Sequence, residues 1–356
     1  MNTIHNFPIL KNYTYLNTAY SGLLATETAN WRRQHDEDFI EGGSIFRAEN
    51  TQIMEKLRNN LSSSFSVKVE NTFLSPNFST GFNAVLNGLK KNHRFLLLQE
   101  DYPSVSYPVT SSGFEFLEIP IYTRLEQNIL NAIEKFKPTV FAFSIVQYIS
   151  GIKLQSDFIK RLKSNFPDLI LIADGTQFLG TTVFNFEQSG LDVLIGSGYK
   201  WLLGGYGNGY IFLSDAAKNE LYEHRKSLTL PNAPFLSGRD HLSLILEPGH
   251  LDSLNFGTLN QGLNYLNGIG LSTIEKTIQD LATKARIALH AKGLLADWMV
   301  ERKEQSSIFS LPLDNVTVSR LNEEKILCSP RGAGTRISFH FYNTEADLNH
   351  LLAVLD

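Results

Sequence analysis

Six short, largely apolar runs recur through the middle of the chain, and they leave few folds open to it. They are RFLLLQ (94–99), FEFLEIPI (114–121), TVFAFSIV (139–146), LILIADG (169–175), DVLIGS (192–197) and GYIFL (209–213). Most are apolar at successive positions, not at alternate ones. A strand with one face in water alternates, whereas a strand covered on both faces does not. Helix patterns lie between some of them. In SDFIKRLKSNF, Phe158, Ile159 and Leu162 share one face before Pro167 stops the helix. Strand–helix–strand repetition predicts an α/β fold, a mainly parallel sheet with helices on both faces. In such sheets ligands collect at the carboxyl ends of the strands.

A chain of 356 residues has room for two domains. The pattern changes near Thr258, where a long helical region, GLSTIEKTIQDLATKARIALHAKGLLADWM, leads to short strands and an amphipathic terminal helix, TEADLNHLLAVL. The division expected is an N-terminal segment near the site (1–20), a large domain (21–257) and a small α+β domain (258–356). The net charge of −4 gives no electrostatic reason to expect nucleic acid. The apolar runs are strand-length, far short of a membrane span. MNTIHNFPILKNYTYLN has no basic start followed by an apolar stretch, so no signal peptide is expected. Cys328 is the single cysteine, which rules out an intramolecular disulfide and fits a reducing, cytoplasmic setting. No metal is expected.

Four features fall near strand ends. In ADGTQ, Asp174 closes an apolar run and Gln177 follows three residues later; a carboxylate there could also cap a helix or bind a cation. In SGYKWLLGGYGNG, Lys200 stands between Tyr199 and Trp201 ahead of a glycine-rich stretch, poor company for a surface lysine. A desolvated lysine amine has a lowered pKa and attacks carbonyls. In NFSTGFNAVLNGL, Phe82, Val85, Leu86 and Leu89 are spaced as one helix face, with Ser79 and Thr80 at the expected N-cap and Gly81 beside them. A helix start of that kind suits an anion, and equally a plain capped helix. In GTRISFHFYNTEAD, Ile337, Phe339 and Phe341 point to one side of a strand, and Arg336, Ser338, His340 and Tyr342 to the other. Such an arginine can clamp a carboxylate through two parallel hydrogen bonds or form a surface ion pair. A lysine for a Schiff base, an acid for a ring nitrogen, a helix end for a phosphate and an arginine for a carboxylate are together the inventory of a pyridoxal-phosphate site.

At these residues the sequence resembles the class V aminotransferases, the family that includes the cysteine desulfurases, within fold type I of the pyridoxal-phosphate enzymes. The resemblance runs from YLNTAYSGLL to RISFHFYNTEADL. It implies a seven-stranded, mainly parallel sheet with one antiparallel strand, a small C-terminal domain and a homodimer with shared sites. It implies that Lys200 forms the Schiff base with pyridoxal 5'-phosphate, that Asp174 pairs with the ring nitrogen and that Gln177 donates to the ring's phenolic oxygen. Ser79, Thr80 and Ser197 would hold the phosphate. Tyr199 stands where cysteine desulfurases carry a histidine, within reach of the phosphate. Tyr102 would stack on the ring, and Tyr148, or its neighbour Gln147, would stand near the cofactor where many members place an asparagine. Thr258 would reach the partner's phosphate, Asn17 and Ala19 would lie in the substrate loop, and Arg336 would bind the substrate carboxylate.

The activity the resemblance implies is chemistry at the α-carbon of an amino acid. Transamination is the first expectation. The alternatives are a cysteine desulfurase, selenocysteine lyase or β-lyase using Cys328, an epimerase, and a cofactor-binding module without turnover. In desulfurases the nucleophilic cysteine rides a mobile loop ahead of the carboxylate-binding arginine. Here Cys328 precedes Arg336 by only eight positions, and KILC reads as a strand with little slack. That favours a structural cysteine. No second arginine stands out for a substrate's side-chain carboxylate, Arg47 in GGSIFRAEN being the candidate.

Overall fold

The computed structural model describes residues 5–50 and 52–356, so the first four residues of the expected N-terminal segment lie outside it. Twelve strands are present among the described residues. In chain order they are β1 (Thr14–Tyr15), β2 (Thr72–Ser75), β3 (Arg94–Leu98), β4 (Glu115–Ile119), β5 (Val140–Ser144), β6 (Ile170–Asp174), β7 (Val193–Ser197), β8 (Gly209–Leu213), β9 (Ile308–Leu311), β10 (Ile326–Leu327), β11 (Ser329–Arg331) and β12 (Gly334–Ser338). Seven form one sheet in the order β2-β8-β7-β6-β5-β3-β4. β3 through β7 pair in parallel, and β8 runs antiparallel to both β7 and β2. All six apolar runs are strands of this sheet, a mainly parallel α/β arrangement with one antiparallel strand.

Burial on both faces explains their composition. On one side Phe141, Phe143, Leu171 and Ala173 join a core with the helices Gln52–Phe65, Ser156–Asn165 and Ser253–Ile269. On the other, Val140, Ala142 and Ile172 pack with Phe82, Val85 and Leu86 of the helix Phe78–Gly88. The seventh strand, β2, is not among the six runs. Its four residues, TFLS, are bracketed by polar Thr72 and Ser75, too short for a period to show. It is fixed from outside: Leu74 N–H donates to Glu247 Oε1 at 2.7 Å, which covers part of a sheet edge.

A second core lies toward the C-terminus. Leu281, Ala285 and Leu289 of the helix Leu271–Ala291 meet Phe309 and Ile337 of the sheet β11-β12-β9, Phe339 just past β12, and Leu348 and Leu351 of the helix Glu345–Val354. The boundary expected at 257/258 falls inside the helix Ser253–Ile269. The buried side of that helix, including Leu259, Leu263 and Leu266, belongs to the large core, so the change of core comes near Leu281. The start of the chain belongs to both cores. β1 pairs in parallel with β10, and Leu16 is buried in the small core.

Candidate active site

The carboxyl ends of β3, β5, β6 and β7 open onto a cavity of about 810 Å³, bordered on its other side by Arg331 and Arg336 of the β11–β12 hairpin and by Ala19 and Tyr20. Its lining includes Ser79, Thr80, Tyr102, Tyr148, Asp174, Gln177, Ser197, Tyr199, Lys200 and Arg336. Residues 79 and 336 are far apart in sequence; the first lies in the helix Phe78–Gly88 and the second on β12 of the small sheet, and the cavity lies between them. This is the crevice outside the carboxyl ends of the strands, where α/β sheets bind ligands.

Lys200 lies three residues past β7 in a tight turn and is 8% exposed. Burial pulls its pKa well down; Asp174 opposes this, and the positive charges of Arg336 and Arg331 add to it. Its Nζ sits 5.4 Å from the centroid of the Tyr199 ring, which stacks on Tyr206 at 5.1 Å. Asp174, at the end of β6, is buried, and burial raises its carboxyl pKa against the Thr176 N–H that donates to its Oδ1 at 2.8 Å. Asp174 therefore caps a turn as well as facing the cavity. Behind the site Gly198 leaves no room for a side chain, since a Cβ would lie 2.3 Å from Asn208 Oδ1. Asn208, wholly buried, ties the glycine loop together by donating to Gly204 O at 2.6 Å and Asn255 O at 2.9 Å.

The helix Phe78–Gly88 points its N-terminus at the cavity. Its N-cap is Asn77, not Ser79 or Thr80: Asn77 Oδ1 accepts from Thr80 N–H. Phe78 N–H donates to Ser197 Oγ at 2.9 Å. With the cap role taken by Asn77, the Ser79 and Thr80 hydroxyls line the cavity, Ser79 also donating to Ser104 Oγ at 2.8 Å. The dipole of this three-turn helix favours an anion there.

Arg336 carries the other end. It is 2% exposed, and its Nη1 donates to Tyr148 O at 2.6 Å. Its Nε and Nη2 are buried without a partner. A buried cation with unmet donors costs several kcal/mol, so the arrangement calls for an anion. Tyr102 and Tyr148 meet edge to face at 5.4 Å across the same cavity. Burial pushes the Tyr199 hydroxyl up to about 12, keeping it a neutral donor.

Several expected residues sit differently. Asn17 does not line the cavity. Its Oδ1 accepts from Ser329 Oγ at 2.9 Å, which makes it a tie to the small domain. Ala19 does line it, with its N–H on Ser338 Oγ at 3.0 Å and its carbonyl accepting from Gln177 Nε2 at 2.9 Å. Gln177 Oε1 accepts from Trp201 Nε1, so one amide N–H of Gln177 is left for a ligand. Gln147 is a turn brace: its Oε1 accepts from Ile149 and Ser150 N–H, which leaves Tyr148 as the cavity residue. Thr258 is wholly buried in its own chain, donating to Leu254 O and accepting from Arg32 Nη1, so in this conformation it has no surface for a partner's phosphate. Arg47 is not at the site. It contacts His250 in a separate cavity of about 950 Å³. The second arginine of the active cavity is Arg331. Hairpin register is the signal that would have found it, because Arg331 opposite Gly334 and Arg336 opposite Ser329 share one face.

Residues 17–22 press on the Lys200 turn. Gly22 N–H donates to Tyr199 O at 2.9 Å, and a Cβ on Gly22 would lie 1.9 Å from Lys200 O. Gly22→Ala is therefore expected to push the Lys200 backbone aside, costing about 1–3 kcal/mol of stability and weakening cofactor retention. Thermal melts and cofactor titration check this; a variant matching wild type in both would show that the contact yields freely.

Among the described residues no helix is long and apolar enough to cross a membrane. The cystine C-S lyase C-DES, in complex with its product cysteine persulfide, has a similar structure: TM-score 0.86, 20% identity, covering 98% of this chain and 98% of that one. The cysteine desulfurase of Thermococcus onnurineus NA1 gives TM-score 0.83 at 16% identity, covering 99% of this chain and 96% of that one. In sequence, an uncharacterized aminotransferase of Bacillus subtilis (strain 168), YcbU, is 19% identical over 97% of this chain and 94% of its own length. The pattern of the Aminotransferase class-V family matches residues 29–351. With the match spanning the sheet, the lysine turn and the arginine hairpin, the chain belongs to the class V aminotransferases, pyridoxal-phosphate-dependent enzymes of fold type I.

Proposed function

We propose that the protein is a transaminase acting at the α-carbon of an amino acid, with Lys200 as the residue that carries the cofactor. The observation that supports this best is one cavity holding a buried Lys200, a buried Asp174 and an Arg336 with two unmet donors. Bound pyridoxal phosphate supplies an electron sink for the carbon beside the substrate's amine. Ser79, Thr80 and Ser197 would hold its phosphate at the helix N-terminus, and Tyr199 stands within the same lining. Asp174 would face the ring nitrogen, Tyr102 the ring, and the spare Gln177 N–H the phenolic oxygen. Arg336 takes the substrate carboxylate on Nε and Nη2 and so fixes which bond at the α-carbon faces the ring. Lys200, with its depressed pKa, can hold and return the α-proton near neutral pH. A homodimer belongs to the proposal; exposed Phe39, Ile40 and Ile45 are apolar surface that a second copy could cover. A cytoplasmic setting rests on the single cysteine.

Cys328 favours this reading over sulfur abstraction by that thiol. It follows β10, packs against the small core and is absent from the cavity lining. Burial pushes its thiol up to about 11, which leaves almost no thiolate at neutral pH. The test is a screen of amino acids against the loaded enzyme, watching the cofactor's absorbance convert to the amine form, beside sulfide release from L-cysteine with a reductant. Cys328→Ala should keep the amine-forming activity and lose about 1 kcal/mol of stability. Robust sulfide release by wild type that vanishes in the variant would defeat the proposal and make the chain a desulfurase.

A further inference from the structure

Arg331 is the cation in the active cavity that this reaction leaves unused. It ends β11, opposite Gly334, while Arg336 on β12 stands opposite Ser329. Residues 331 and 336 are therefore diagonal neighbours on one face of the hairpin, their backbones roughly 7–8 Å apart. Both line the cavity. The Arg331 guanidinium lies over the Tyr20 ring, 5.1 Å from its centroid. A cation–π contact of this kind leaves a planar guanidinium its paired N–H groups for bidentate recognition of a carboxylate.

The charges facing this end of the cavity do not balance. Arg331 and Arg336 are the two guanidinium cations of the lining, and Arg331 disfavours the charged form of both Arg336 and Lys200. Asp174 is the carboxylate of the lining, and Asp101 beneath it is spent on the N–H groups of Tyr102 and Ser144. A cofactor phosphate held at the helix N-terminus would lie with Ser79 and Ser197, whereas Arg331 lies with Tyr20 and the hairpin. One substrate carboxylate satisfies Arg336 and leaves Arg331 over.

We propose that Arg331 receives a second carboxylate, at the far end of the substrate's side chain, so that the preferred substrates are dicarboxylic amino acids. The inference rests on the proposed role of Arg336 and adds the substrate class. Two arginines on one rigid hairpin set a fixed span, so the enzyme should discriminate by the length of the diacid as well as its charge. A side chain lacking the carboxylate would leave Arg331 unanswered beside Arg336 in the same cavity, which is the source of the selectivity.

The test uses the pyridoxal-phosphate-loaded enzyme and ligands that cannot react. Succinate and glutarate are compared with butyrate and valerate by calorimetry, for wild type, Arg331→Gln, Arg331→Lys and Arg336→Gln. The expected result is that a diacid binds at least tenfold tighter than the matching monoacid, that Arg331→Gln abolishes this gap, and that Arg331→Lys keeps part of it. In the half-reaction, kcat/KM for whichever of aspartate and glutamate wild type prefers should fall at least tenfold in Arg331→Gln relative to that for alanine. Wild type without a diacid preference, or Arg331→Gln retaining it, overturns the inference. So does loss of cofactor from Arg331→Gln with no change in preference, which would assign Arg331 to the phosphate. If butyrate binding ignores Arg336→Gln, the carboxylate role of Arg336 has failed as well; if it depends on Arg336 without a diacid preference, the substrate class alone has failed.

Discussion

Lys200→Ala is expected to abolish the borohydride-fixed cofactor adduct and to lower turnover by roughly three orders of magnitude or more. The amine is buried, in a turn braced by Gly22, Gly198 and Asn208, and among the described residues no carboxylate is in hydrogen-bond contact to neutralise it. Burial and two nearby arginines favour its neutral form, which is the nucleophile. Because the pKa is lowered, capture of the aldehyde by wild type should rise with pH through a midpoint well below that of free lysine. Among the described residues no other lysine lines the cavity to take over. The checks are peptide mapping of the reduced adduct and the pH dependence of cofactor uptake. An adduct on a different lysine would overturn the assignment, and an uptake midpoint at the ordinary lysine value would show that the amine is solvated.

Asp174→Asn is expected to keep the fold and lose about a hundredfold or more in turnover. An amide preserves an acceptor for the Thr176 N–H, so the turn persists, but it cannot hold a ring nitrogen protonated. Two further shifts follow. The Asp174 charge is what holds the Lys200 pKa up, so its removal should move cofactor uptake to still lower pH. The Asp174 pKa is itself raised by burial, so the folded protein binds its proton more tightly than the unfolded chain. The charged form therefore detracts from stability as pH rises through the raised value. The cofactor-free variant should then melt above wild type at neutral pH, stability gained at the expense of function. Near-normal turnover in the variant would reduce Asp174 to a turn cap, and a lower melting temperature would mean that Lys200 compensates the buried charge fully.

The residues legible in the sequence are those whose neighbours along the chain carry the signal. Asp174 ends one apolar strand and Lys200 follows another by three residues, and an ionisable group at such a point stands out. Arg336 alternates with apolar residues on a strand. Arg331 was not legible, because its relation to Arg336 depends on the register of a hairpin that only the pairing of Ser329 with Arg336 fixes. Asn77 does not stand out as a cap, because Ser79 and Thr80 offer the same chemistry two and three residues on and the choice depends on where the helix begins. Thr258 shows the limit of resemblance. Its segment matches a family pattern, but whether its hydroxyl faces a partner or Arg32 is decided by side-chain packing. Asn17 and Gln147 look like site residues because they lie beside ones that are; their amides are committed to holding the chain's shape.

The pairing of β1 with β10 has a consequence for the order of events during synthesis. Asn343 Nδ2 donates to Tyr15 O, a bond between groups 328 residues apart. At about 5–20 residues per second, the ribosome delivers the two roughly 15–65 s apart. Until the second arrives, Leu16 has no small core to enter and residues 17–22 have no hairpin to rest on. The lysine turn emerges in that interval and the arginines that close its cavity come near the end. A nascent chain can thus build its parallel sheet early, yet it cannot shelter an aldehyde from water until translation is almost finished.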